Sequence, residues 1–120
     1  NIFDHYKNKS IIDCINSISF YFPDPWFKKK HHKRRVIQPE LINILSNSMH
    51  KGSLIFIKTD VKELIDYMDH TISESINFKK IENEFLGFNN TFNPNRIQTN
   101  REKYAILNHQ KIYESIFQIN

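Results

Sequence analysis

Asp24 stands between two prolines, in the run Phe22-Pro23-Asp24-Pro25-Trp26. Each proline fixes φ and has no N–H to give to a sheet ladder, so the pair ends any strand that runs into it. A carboxylate on so stiff a support can stabilise positive charge on a ligand. It can equally be an ordinary turn residue. Trp26 is either core filler or a platform for a stacked base. From Lys28 to Arg35 the chain carries six cations and two histidines in eight positions. Such a run is either a solvated face or a set of phosphate contacts, and its place just after the acidic turn favours phosphate. His31 and His32 lack i,i+4 spacing and have no nearby Cys or carboxylate, so no metal is expected. Further on come Asp60 with Glu63, and Thr99 with Glu102. Both pairs have the three-residue spacing of a helix capping box, which explains them without any function.

These residues need elements to hold them. Ile18–Phe22 is an aromatic, β-prone run, expected as a central parallel strand that ends at Pro23. The spacing of Leu41, Ile44, Leu45 and Met49 predicts a helix over Val36–His50, with Pro39 in its first turn. His50 and Lys51 would lie near its end and Gly52 at its C-cap. Leu54–Ile57 reads as a second buried strand, which makes a βαβ unit and a parallel pair. Asp60 follows it, and Val61, Leu64, Ile65 and Met68 mark a helix to about Thr71. A strand is expected within Ile76–Phe85, a polar loop over Gly87–Asn100, and a helix over residues 99–109. Ile112–Ile119 alternates Tyr113, Ser115, Phe117 and Ile119 on one face, as a closing strand at a mixed edge would. At the start, Ile2, Phe3 and Tyr6 suit the end of a helix. Ile11–Ile15 suits a strand start or a turn.

Composition narrows the partners. In 120 residues, 25% are charged and 39% hydrophobic, which supports one small globular core and no second domain. Net charge is +4, and Lys28–Arg35 holds six of the 17 cations. That concentration points to a polyanion, nucleic acid before membrane. The single cysteine, Cys14, excludes an internal disulfide and suits a reducing compartment such as the cytoplasm. It reads as a small buried hydrophobe. No run of eighteen apolar residues exists to span a membrane, and the start does not resemble a signal peptide. Gly52 and Gly87 are the two glycines, where average usage of about 7% would give about eight. A nucleotide-type cofactor usually needs a Gly-rich first βα turn, and none is present.

Phe22-Pro23-Asp24-Pro25-Trp26, then Lys28, Lys30-His31-His32-Lys33-Arg34-Arg35 and Gln38-Pro39-Glu40, closely resembles the signature of the bacterial-type tRNA (guanine-N7-)-methyltransferases. Thr59-Asp60 and Thr99-x-x-Glu102 fit as well. The resemblance covers nearly the whole chain but only the second half of the family's domain. It implies α/β architecture: the carboxy-terminal half of a Rossmann-like class I methyltransferase fold, with a mixed sheet and a closing antiparallel strand. Residues 1–120 would form one partial domain without the amino-terminal, cofactor-cradling half, in keeping with a start at Asn1 and the missing Gly-rich turn. The implied reaction moves a methyl group from S-adenosylmethionine to N7 of a guanine in the tRNA variable loop. The implied sites are Asp24 for catalysis and, with Thr99 and Glu102, for cofactor. Lys28, Asp60, Thr99 and Glu102 would meet the substrate. Lys30, His31, His32, Lys33, Arg34 and Arg35 would hold the RNA. The alternatives are a non-catalytic RNA-binding fragment and another nucleic-acid methyltransferase. Pro-Asp-Pro in place of the Asp-Pro-Pro-Trp-like turn of the amino-methyltransferases favours the guanine-N7 family over the latter.

Overall fold

Six buried residues in a row make Leu54–Thr59 the centre of the molecule. The computed structural model describes residues 16–82 and 98–120. Within them four strands form one sheet: β1 (Ser17–Tyr21), β2 (Leu54–Thr59), β3 (Phe78–Ile81) and β4 (Tyr113–Ile119), in the spatial order β1-β2-β4-β3. A six-residue 3₁₀ helix (Lys29–Arg34) and three α-helices connect them: α1 (Pro39–Ser48), α2 (Lys62–Ser73) and α3 (Asn100–Leu107). β1 and β2 are parallel, with Ser17 opposite Leu54 and Tyr21 opposite Lys58. β4 runs antiparallel to both β2 and β3. The expected α/β class and mixed sheet are therefore present.

A strand covered on both faces must be apolar on both, and β2 meets that demand. Ile55 and Ile57 join the larger core, with Leu41, Ile42 and Leu45 of α1 and Leu64, Ile65, Met68 and Ile72 of α2. Leu54 and Phe56 face the other way, onto Ile116 with Tyr21 and Ile81. Lys58 lies in line with Leu54 and Phe56, because side chains alternate along a strand. Its ammonium is fully buried and meets Glu102 of α3 at 2.9 Å.

Several expectations need correction. β1 lies at the edge of the described sheet, paired with β2 alone, and Ser17 on it is exposed. The central position belongs to β2. β4 lies between β2 and β3 instead of at the edge. Helix α1 begins at Pro39, not Val36, because the residue before a proline is driven out of the helical region; Gln38 is extended at φ −129°. It also stops before His50 and Lys51. Met49 is already extended, and Gly52, at φ +89°, serves the turn into β2 instead of a helix end. The strand within Ile76–Phe85 and the helix over 99–109 are found as β3 and α3. The expectations for Ile2–Tyr6, Ile11–Ile15, Cys14 and most of the Gly87–Asn100 loop lie outside the described residues.

Candidate active site

Parallel strands β1 and β2 end side by side, and a crevice at such strand ends is the usual place for a ligand in an α/β sheet. Here the crevice is a cavity of about 430 Å³. The Pro23-Asp24-Pro25 turn forms one side. Thr59, Asp60 and Val61, leaving β2, form the other, and Arg101 of α3 closes it. Thus Asp24 and Asp60, 36 positions apart in sequence, share one hollow. Asp24 is exposed. Asp60 is not: its side chain is 7% exposed and takes the Arg101 guanidinium at 2.9 Å. With Asp60 balanced by Arg101, Asp24 is the carboxylate that can put its charge into the cavity.

The acidic turn has an unusual backbone. Phe22 and Trp26 flank it at φ +49° and +43°. Non-glycine residues in that left-handed region cost about 1–3 kcal/mol each and persist where the surroundings over-determine them. Two hydrogen bonds pin the turn. The Phe22 N–H donates to the Lys58 carbonyl at 2.8 Å. Arg35 donates its Nε–H to the Pro25 carbonyl, also at 2.8 Å.

The basic run divides by exposure. Lys28, Lys29, Lys30, Lys33 and Arg34 are exposed, and His31 and His32 are half-buried. Trp26 is half-buried as well, with the Arg34 guanidinium 5.1 Å from its ring centre and His31 edge-on at 5.7 Å. It is therefore neither plain core filler nor a bare platform. His32 turns toward the protein, its Nε2 3.3 Å from the Phe27 carbonyl. Arg35 departs from the expected RNA-contact set. It is 4% exposed, ion-paired with Glu63 at 2.7 Å and stacked over Tyr67 at 4.7 Å. A guanidinium so enclosed has no face for a phosphate.

The two capping pairs also differ from expectation. Val61, not Asp60, is the N-cap of α2, and no side chain caps it. Asp60 has gone to Arg101 and Glu63 to Arg35. At α3 half the box forms: Thr99 Oγ1 accepts from the Glu102 N–H at 3.1 Å. The Glu102 carboxylate reaches Lys58 instead of turning back to the cap. Thr99 and Glu102 therefore hold the start of α3, from which Arg101 enters the cavity. On the far side of that pair is Tyr21, with Lys58 Nζ 5.2 Å from its ring centre. Burial, with a smaller push from Glu114 and Glu102, raises the Tyr21 phenol to about 12 against a counteracting hydrogen bond from Ser19, so it stays neutral at ordinary pH.

Arg101 and Lys58 are the members of this arrangement that the sequence reading missed. Arg101 carried a faint signal, a cation inside the Thr-x-x-Glu spacing. Lys58 carried a stronger one, a charge continuing an apolar strand. Among the described residues no group of three or more His, Cys, Asp or Glu could hold a metal ion. No helix among them is long and apolar enough to cross a membrane.

A family model described as "Putative methyltransferase" matches residues 4–115. The chain is 73% identical over 117 residues to a protein of Prochlorococcus marinus subsp. pastoris named tRNA (guanine-N(7)-)-methyltransferase, covering 98% of this chain and 56% of that one. A protein of the same name from Prochlorococcus marinus (strain MIT 9515) is 63% identical over the same shares. One from Synechococcus sp. (strain CC9902) is 37% identical over 108 residues, 90% of this chain and 45% of its own. The chain spans about half the length of the curated relatives it matches.

Proposed function

The chain belongs to this methyltransferase family, and on that premise we propose that the full-length protein methylates N7 of a guanine in tRNA, with S-adenosylmethionine as donor. The observation that carries the reading is the exposed Asp24 carboxylate on a pinned turn, in a cavity at the strand ends and directly before an exposed basic helix.

The cavity suits such a donor. Pro23, Pro25 and Phe22 give it apolar walls, Asp24 supplies a carboxylate for a cationic centre, and about 430 Å³ is within the range of small-molecule sites. When bound, the donor supplies a methyl group on a sulfonium. Guanine N7 has a free lone pair and no proton, so the chain need not provide a base for the attack. Its task is alignment, and stabilising the positive charge that develops on the purine. Asp24 does the second by charge, and it can accept hydrogen bonds from the guanine N1–H and N2–H edge. Asp60 and Arg101 form the opposite wall. Thr99 and Glu102 act by fixing the start of α3, and Lys28 orients the base from the end of the turn. A cytoplasmic reaction is part of this proposal, in keeping with a tRNA substrate.

The test is incubation of full-length protein with labelled S-adenosylmethionine and unmodified tRNA, followed by borohydride and aniline cleavage. Strand scission at a single variable-loop guanine is expected. Label without scission would exclude N7. Binding without label would favour the RNA-binding alternative.

The exposed cations make a second expectation. Changing Lys30, Lys33 and Arg34 to Gln should weaken tRNA binding in the full-length protein. It should also flatten the dependence of log affinity on log salt by about 0.7–0.9 for each phosphate no longer neutralised. Titrations across salt concentrations measure this. An unchanged slope would make the run a solvated face.

A further inference from the structure

We infer that Arg35 is a positioning residue for the Asp24 turn and not a contact for the RNA backbone, an inference that rests on the methyl-transfer reading of the same site. By sequence Arg35 is the eighth member of a basic run. In the fold it points the other way from Arg34, which is exposed. Its Nε–H holds the Pro25 carbonyl at 2.8 Å, while its terminal nitrogen holds Glu63 of α2 at 2.7 Å. The guanidinium carbon lies over the Tyr67 ring, 4.7 Å from its centre, and the Tyr67 hydroxyl donates to the Ile37 carbonyl at 2.8 Å. The backbone of Arg35 is held too, since Gln38 donates its side-chain amide to the Arg35 carbonyl at 2.8 Å.

This geometry needs a guanidinium. One planar group gives separate donors to the Pro25 carbonyl and Glu63 at fixed angles while its carbon lies over an aromatic ring; an ammonium has no such fork. What it holds is the costly part of the site. Pro25 precedes Trp26, one of the two left-handed residues bounding Asp24. The Phe22 end is tied to β2, and Arg35 ties the other end to α2. Without that tie the Pro25–Trp26 peptide can relax, and the Asp24 carboxylate moves with it. A displacement of about 1 Å in a reacting geometry can cost a hundredfold in rate.

The experiment compares Arg35→Lys with Arg34→Gln in the full-length protein, reading kcat, tRNA affinity and its salt slope. Arg35→Lys should lower kcat about 10- to 100-fold and leave affinity and salt slope as in the wild type. Arg34→Gln should lower the slope by about 0.7–0.9. If Arg35→Lys instead lowers the slope as Arg34→Gln does, or leaves kcat unchanged, the assignment is overturned. Glu63→Ala, at a half-exposed position, decides the matter if Arg35→Lys does not fold. It removes the anchor on α2, leaving the Pro25 carbonyl and His32 Nε2, which lies 3.2 Å from the same terminal nitrogen, and should lower kcat about threefold to tenfold at unchanged slope, whereas wild-type kcat would overturn the tie. Acrylamide quenching of the fluorescence of Trp26, the single tryptophan and half-buried at the end of the turn, separates this inference from the reading it rests on. A wild-type protein that transfers no methyl group to tRNA would end that reading. Quenching must still increase in Arg35→Lys if the tie is real, and unchanged quenching overturns it.

Discussion

Asp24→Asn in the full-length protein should reduce methyl transfer to unmodified tRNA by about a hundredfold or more, the scale of removing one preorganised electrostatic interaction. Asparagine keeps the size and turn preference of aspartate, so the Pro-Asp-Pro backbone and its two ties should survive. The other carboxylate lining the cavity cannot take over the charge, because Asp60 is already balanced by Arg101 at 2.9 Å. tRNA affinity should hold, since the exposed cations lie further along the chain. Single-turnover methylation with binding measured in parallel is the check. Near-normal turnover would make Asp24 a turn residue and nothing more.

The second large effect is on stability. Lys58→Met fills nearly the same volume but leaves the Glu102 carboxylate, 11% exposed, without the ammonium it meets at 2.9 Å. Removing one partner of a buried pair costs about 3–5 kcal/mol, or roughly 10 °C in Tm. Replacing both partners by apolar groups is often close to neutral. The double variant Lys58→Met with Glu102→Leu should therefore recover most of the stability. Urea unfolding of the two singles and the double measures the coupling. A Lys58→Met cost below about 1 kcal/mol would mean that the pair does not hold α3 to the sheet.

The elements most legible in the sequence were those with a local pattern. The unbroken apolar run of Leu54–Ile57 marked β2, and the spacing of Leu64, Ile65 and Met68 marked α2. The acidic turn was legible because proline acts on its own backbone. What could not be read was decided at a distance. Nothing in Tyr113–Ile119 distinguishes an edge strand from one between β2 and β3; the pairing partner decides it. A basic run has the same composition whether each side chain faces water or protein. Arg35 turns inward because of Glu63, 28 positions later, and the Pro25 carbonyl, ten positions earlier. The same holds for Asp60, whose partner Arg101 comes from α3. The candidate residues were found by type, and their different surroundings depend on partners elsewhere in the chain.

The order of the strands has a consequence for how the molecule comes together. β3 touches the sheet only through β4, in a register that sets Phe78 opposite Ile119 and Ile81 opposite Ile116. β2, synthesised before β4, finds its second neighbour about sixty positions later, with Leu54 opposite Gln118. During synthesis β1, α1, β2 and α2 can assemble from contacts close in sequence, but among the described strands β3 has none to pair with until β4 has been made. Loop closures of that span are slow. Until then the β4-facing edge of β2, the most apolar strand of the sheet, stays open to other chains. Such an edge invites mispairing, so assembly of this protein should be most vulnerable in the interval before β4 is inserted.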